Sequence, residues 1–180
     1  AMEQLKATED QFRKNLERIV DLLKRIHIEQ KLDELIKRAD EMMKQQESLK
    51  QQASKSDPSD QQKRDELAQK QQDLQKQMDA LGKEISDLKK KMEEFPKEMP
   101  IEEMEKAEEQ VQQNQTGQKM QQAAGQMKSG NMKGAEKNQE QSQKELSDLE
   151  KQLQSVQKAL QENQQKQIVN ELRKQLQNVI

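Results

Sequence analysis

The side chains able to do chemistry are few and badly placed for it. His27 is the single histidine among 180 residues, flanked by Ile26 and Ile28. A di-metal helical bundle draws a Glu-x-x-His motif from each of two helices, so one chain with one histidine cannot build it. Cysteine is absent, and the serines have neither a second histidine nor a strained elbow turn, which removes nucleophilic triads. The acidic run Glu102, Glu103, Glu105, Glu108 and Glu109 offers hard oxygen ligands. It lacks the Asp/Gly loop spacing of a calcium site and reads as a solvated first helical turn favoured by the dipole. Ten methionines invite a soft-metal or flexible-groove reading. Met42, Met78 and Met92 fall on apolar stripes, where packing is the default role. Met120, Met127 and Met132, around Gly130, are left as candidates for an exposed interaction patch. No catalytic, cofactor-binding or metal-binding residue is expected.

Composition sets the class of element that must carry these residues. Hydrophobic residues are 29% and charged residues 37%, against roughly 45–50% and 25% in an ordinary globular domain, so a large round core is excluded. Glutamine makes up about a fifth of the chain. The apolar material is mostly unbranched at Cβ, with two phenylalanines and no Trp or Tyr, the mix that thin helix-on-helix seams use. The net charge of −2 comes from 32 basic and 34 acidic residues interleaved along the chain. That pattern gives no basic stripe for nucleic acid and predicts solvated faces laced with pairs such as Glu34 to Arg38 and Glu66 to Lys70. No run approaches the ~20 apolar residues of a membrane span, and the opening Ala-Met-Glu has no signal-peptide character, so direct membrane insertion is not expected.

Periodicity gives the architecture. Leu67, Leu74, Leu81, Leu88 and Phe95 fall seven apart, with Met78, Ile85 and Met92 at complementary positions, which is a coiled-coil seam. Prolines and glycines divide the chain into four expected helices, about 3–53, 58–95, 101–129 and 132–180, forming one elongated antiparallel all-α bundle over 1–180. The first helix carries Phe12, Leu16, Ile19, Leu23 and Ile26, jumps by two residues, and resumes at Ile28, Leu32, Leu35, Ala39 and Met42. With Val20, Leu22, Ile36 and Met43 its face is wide enough to predict the centre of the core, where Leu23→Lys or Leu35→Lys unfolds the bundle. Asp57 as N-cap with Pro58 at the first helical position predicts the start of the second helix. The third helix has the weakest stripe, Met104, Ala107, Val111, then Met120, Ala123, Ala124 and Met127, and a kink or fraying is expected between Gln112 and Lys119. Gly130 in a left-handed conformation followed by Asn131 as N-cap predicts a hairpin turn.

The fourth helix follows Leu146, Leu149, Leu153, Val156 and Leu160, then skips to Ile168 or Val169, Leu172, Leu176 and Val179. The segment 162–167 is either a register shift within one helix lying beside the first or a loop before a short one. The structural seam is thus assigned to Leu23, Leu35, Leu67, Leu74, Leu81, Leu88, Leu146 and Leu153.

Two segments carry a resemblance. Leu16 to Leu49, LERIVDLLKRIHIEQKLDELIKRADEMMKQQESL, and Met120 to Leu153, MQQAAGQMKSGNMKGAEKNQEQSQKELSDLEKQL, resemble the Gln-rich helical C-terminal regions of large membrane-anchored bacterial proteins of uncharacterised function. The resemblance implies an extracytoplasmic, envelope-facing domain with no assigned activity. The Gly130-Asn131 segment also looks like the helix-helix turn of tetratricopeptide-type repeats, but no 34-residue period follows. The expected function is a structural or protein-interaction module, binding a protein partner or itself through helices. A chaperone-like bundle with a methionine-lined groove is the alternative, and a membrane-surface binder ranks last for want of bulky anchors opposite a basic face.

Overall fold

The computed structural model describes residues 2–177, with side chains from residue 8 onward; the expected seam position Val179 lies outside the described residues. Helix forms wherever the apolar spacing is sustained: α1 Met2–Lys55, α2 Gln61–Met92, α3 Ile101–Asn114, α4 Thr116–Lys128 and α5 Met132–Gln177. No strand occurs among the described residues. The segment 162–167 is helical, so α5 runs through it unbroken.

The boundaries follow local chemistry. The N-cap of α2 is Asp60, whose carboxylate accepts from Lys63 N at 2.9 Å, and not Asp57 as the sequence predicts. Asp57 accepts instead from Ser59 N at 2.8 Å and Ser59 Oγ at 2.7 Å. Two donors two residues away favour this tight Asx turn over a helical first turn. The last helical residue of α2 is Met92, before the expected Phe95, because Pro96 pushes its predecessor out of the helical region. Phe95 then caps the turn, its carbonyl accepting from Glu98 N and Met99 N at 3.1 and 3.0 Å. At the α4–α5 junction Gly130 has φ +80°. Asn131 N reaches Gln126 O at 2.8 Å and Gly130 N reaches Met127 O at 3.0 Å, the paired bonds of a Schellman ending. Asn131 Oδ1 accepts from Gly134 N at 3.1 Å, capping α5.

These segments form an antiparallel four-helix bundle in which α3 and α4 together make the third leg. α1 packs on α2 and α5, and α3–α4 packs on the same two. Polar contacts fix the register: Gln46 to Gln71 and Arg38 to Glu84 between α1 and α2, Asp33 to Gln157 at 2.6 Å between α1 and α5, and Gln126 to Asn138 at 2.9 Å between α4 and α5. Arg38 therefore pairs across helices rather than with Glu34, while Glu66 and Lys70 do pair, at 2.8 Å. Seven of the eight seam leucines, Leu35, Leu67, Leu74, Leu81, Leu88, Leu146 and Leu153, are buried. The eighth, Leu23, is 60% exposed. The core on α1 begins only at Ile28: of the face expected to form the centre of the core, Ile28, Leu32, Leu35, Ala39 and Met42 are buried, while the stretch from Phe12 to Ile26 lies outside it.

Two core features are polar or irregular. Gln46 and Gln71 exchange hydrogen bonds of 3.0 and 2.8 Å, and Gln139 Nε2 donates to Gln71 Oε1 at 2.9 Å, all three residues being fully buried. This layer ties α1, α2 and α5 at one height. In the third leg the stripe of α3 and that of α4 are out of phase: at about 100° per residue, Val111 and Met120 lie on opposite sides of a continuous helix. Gln115, at φ 51° and ψ 36°, takes a left-handed step that turns α4 so that Met120, Ala123, Ala124 and Met127 face the core. Lys119 Nζ donates to the free Asn114 carbonyl at 2.7 Å and also pairs with Glu145 of α5, whose other oxygen accepts from Thr116 Oγ1 at 2.8 Å. Gly117 lets the break approach α2; a Cβ there would meet Asp79 Oδ1 at 2.7 Å.

Candidate interaction surface

The exposed large apolar side chains among the described residues fall in two places, the first part of α1 and the last part of α5. On α1 they are Phe12, Leu16, Ile19, Val20, Leu22, Leu23 and Ile26; on α5 they are Ile168, Val169, Leu172 and Leu176. The two stretches are neighbours, because antiparallel pairing of α1 with α5 brings Glu29 to Gln164 and sets Leu22 and Arg25 against Ile168 and Gln167. The other two legs stop at this level. Lys24 Nζ pairs with Glu94 in the α2–α3 connection at 2.8 Å, and Glu98 and Met99 of that connection line the same cleft as Leu22. Beyond the connection α1 and α5 continue without α2 or α3 beside them.

The apolar faces do not point at the bundle axis. Passing from Ile26 to Ile28 advances two residues where a heptad advances three or four, which turns the stripe by roughly 150°. Passing from Val156 and Leu160 to Val169, Leu172 and Leu176 turns the α5 stripe by a similar angle, about 150°. Both stripes therefore leave the core-facing side and enter solvent. Charge on this tail is mixed and its ion pairs are exposed: the hydrogen bond and charge of Glu94 raise the Lys24 ammonium above its ordinary value, a surface pair of little energetic weight.

The remaining candidates are placed as follows. Met120 and Met127 are fully buried and Met132 is half-buried, so the methionine patch expected around Gly130 does not exist as an exposed surface. Small residues at Ala123, Ala124 and Ala135 let α4 and α5 close over these side chains. His27 is exposed on α1. Glu105 and Glu108 of the acidic run pair with Lys89 of α2 at 3.5 and 2.9 Å, and no cluster of three His, Cys, Asp or Glu residues able to hold a metal occurs among the described residues. A groove of about 520 Å³ follows the α3–α4 break beside α2, lined in part by Gly82, Val111, Gln115 and Gly117, with Met78 its one methionine. No described helix is long and apolar enough to cross a membrane.

The sequence displays every residue of the tail surface, but heptad spacing records that a helix grips something without recording what, so spacing alone assigns this apolar stretch to the core. The signal that separates the two is the two-residue jump after Ile26. No family model, curated protein or solved structure matches the chain.

Proposed function

We propose that the chain is a non-catalytic helical interaction module, a spacer or docking element within a larger bacterial envelope protein, whose working surface is the apolar tail of α1 and α5. The observation that carries the reading is that, among the described residues, the exposed large apolar side chains are confined to that tail, with Phe12 at 63% and Leu176 at 65% exposure. Apolar patches of this extent on a soluble surface mark interaction sites. The envelope placement rests on the resemblance of Leu16 to Leu49 and Met120 to Leu153. A photo-crosslinking side chain at Leu23 or Leu172, in the chain expressed in its native host, should give protein adducts, whereas the same group at Lys106 should not. Equal yields at all three positions, or none from the tail, would overturn the proposal.

The groove beside Gln115 supports a second reading, a chaperone-like bundle that binds peptides or unfolded clients. Its weakness is that the methionines expected to line it are buried. Adducts from Val111 to unfolded polypeptides, with none from Leu23, would put this reading first.

A further inference from the structure

We infer that the occupant of the tail surface is the tail of a second copy of this chain, the two tails packing across a two-fold axis into an intermolecular bundle of two α1 and two α5 segments. The inference rests on the interaction-module reading and names its partner. The first argument is face width. Phe12, Leu16, Ile19, Leu23 and Ile26 keep a strict heptad, with Val20 and Leu22 apolar on its two sides. A seam that is apolar at both flanking positions is wider than one neighbouring helix covers. A second tail supplies two helices, each bearing a face of the same kind.

Area is the second argument. Eleven large apolar side chains stand at 39–65% exposure on the tail. At about half exposure they offer on the order of 1,000 Å² per copy, so closure would bury roughly 2,000 Å², the size of a specific and stable protein interface. Charge is the third. Between residues 8 and 27 the chain carries Glu9, Asp10, Glu17 and Asp21 against Arg13, Lys14, Arg18, Lys24 and Arg25. The α5 part adds Glu162 and Glu171 against Lys166, Arg173 and Lys174, so each segment has a single surplus cation among interleaved signs and two tails can match opposite charges, whereas a lipid surface would select a one-sided basic face. Finally, the α1 and α5 stripes turn outward by about the same angle from the bundle axis, and a partner bearing the same pair of turned stripes meets both at once.

The test is sedimentation equilibrium of the purified chain from low-micromolar to submillimolar concentration, with Leu16→Glu/Leu23→Glu on α1 and Leu172→Glu on α5 as separate variants. A monomer–dimer equilibrium is expected, weakened at least about tenfold by either variant. Because these residues are exposed, each variant should melt as the parent monomer does, which shows that a lost dimer is not a lost fold. A monomer at every concentration, or a dimer indifferent to both variants, overturns the inference. So does flotation of the monomeric chain with anionic vesicles in place of self-association. Tail crosslinks to other proteins from a strictly monomeric chain would leave the module reading standing and remove only the second copy.

Discussion

Glutamine is the residue that this chain uses most, and in three places it uses it inside. Gln71 accepts from both Gln46 and Gln139 while donating back to Gln46, so each amide depends on the others. Gln71→Ala leaves two buried amides without their partner and opens a cavity, which should cost about 3 kcal/mol in urea unfolding. Replacing all three glutamines with leucine removes the polar groups together. That triple variant should melt at or above the parent temperature, with broader exchange between helix registers, since a buried polar layer serves to fix register. A mild Gln71→Ala, or a strongly destabilised triple variant, would contradict this account. Glu84 is the second residue with a measurable consequence. Burial pushes its carboxyl up, but the Arg38 guanidinium and the Lys31 ammonium, 3.2 Å away, outweigh burial and hold it below its ordinary value. A carboxyl lowered on folding adds stability that is fully present above its unfolded value of ~4.3 and disappears as pH falls through the folded value. The urea midpoint should therefore drop below about pH 4, and Glu84→Gln should flatten part of that drop. An unchanged acid limb in the variant would assign the loss to other carboxylates.

Three elements meet the same difficulty, an apolar stripe that changes phase, and they resolve it in two ways. Between α3 and α4 the helix breaks at Gln115, and both stripes reach the core. In α1 and α5 the helix continues, and the stripe beyond the jump is left outside. The left-handed Gln115 is a strained solution for a residue with a Cβ, worth about 1 kcal/mol, so Gln115→Gly should raise the melting temperature by a few degrees. A lower melt would mean that the extra freedom of glycine in the unfolded chain outweighs the strain relieved at Gln115. Gly130→Val with Asn131→Ala should do the opposite, losing about 1 kcal/mol at each position while helix content stays nearly intact. How much of this was legible follows from the same comparison. The hairpin at Gly130, the seam of α2 and a disturbance between Gln112 and Lys119 can be read from spacing and turn chemistry, because each is decided within a few residues. Whether Leu23 faces a neighbour cannot, because the answer depends on where the α2–α3 connection stops, some seventy residues away in sequence at Glu94. The burial of Met120 and Met127 is hidden for a related reason: it requires the turn at Gln115 to be placed to the residue.

At the scale of the whole molecule, length and stability reside in different parts. α1 has 54 residues, which at 1.5 Å each spans about 80 Å, yet its buried residues begin at Ile28 and end at Ala53. A sphere of this chain length would have a radius of gyration near ~16 Å, whereas a rod of about 80 Å alone contributes ~23 Å, so small-angle scattering at low concentration should return a value above about 20 Å. A compact value would remove the spacer reading at once. The separation of length from stability is then tested by a pair of substitutions that are identical in chemistry. Leu35 is fully buried between helices and Leu23 is 60% exposed. Leu35→Lys places a charge in the core without a partner and should unfold the bundle, because the cost of several kcal/mol rivals the stability of a seam this thin. Leu23→Lys should shift unfolding by less than about 0.5 kcal/mol, since a lysine on the tail remains in water. Circular dichroism of the two variants side by side decides the matter: helical signal lost in the first and kept in the second places the fold from Ile28 onward and leaves the tail free for a partner, while unfolding in both would mean that the tail is part of the core after all.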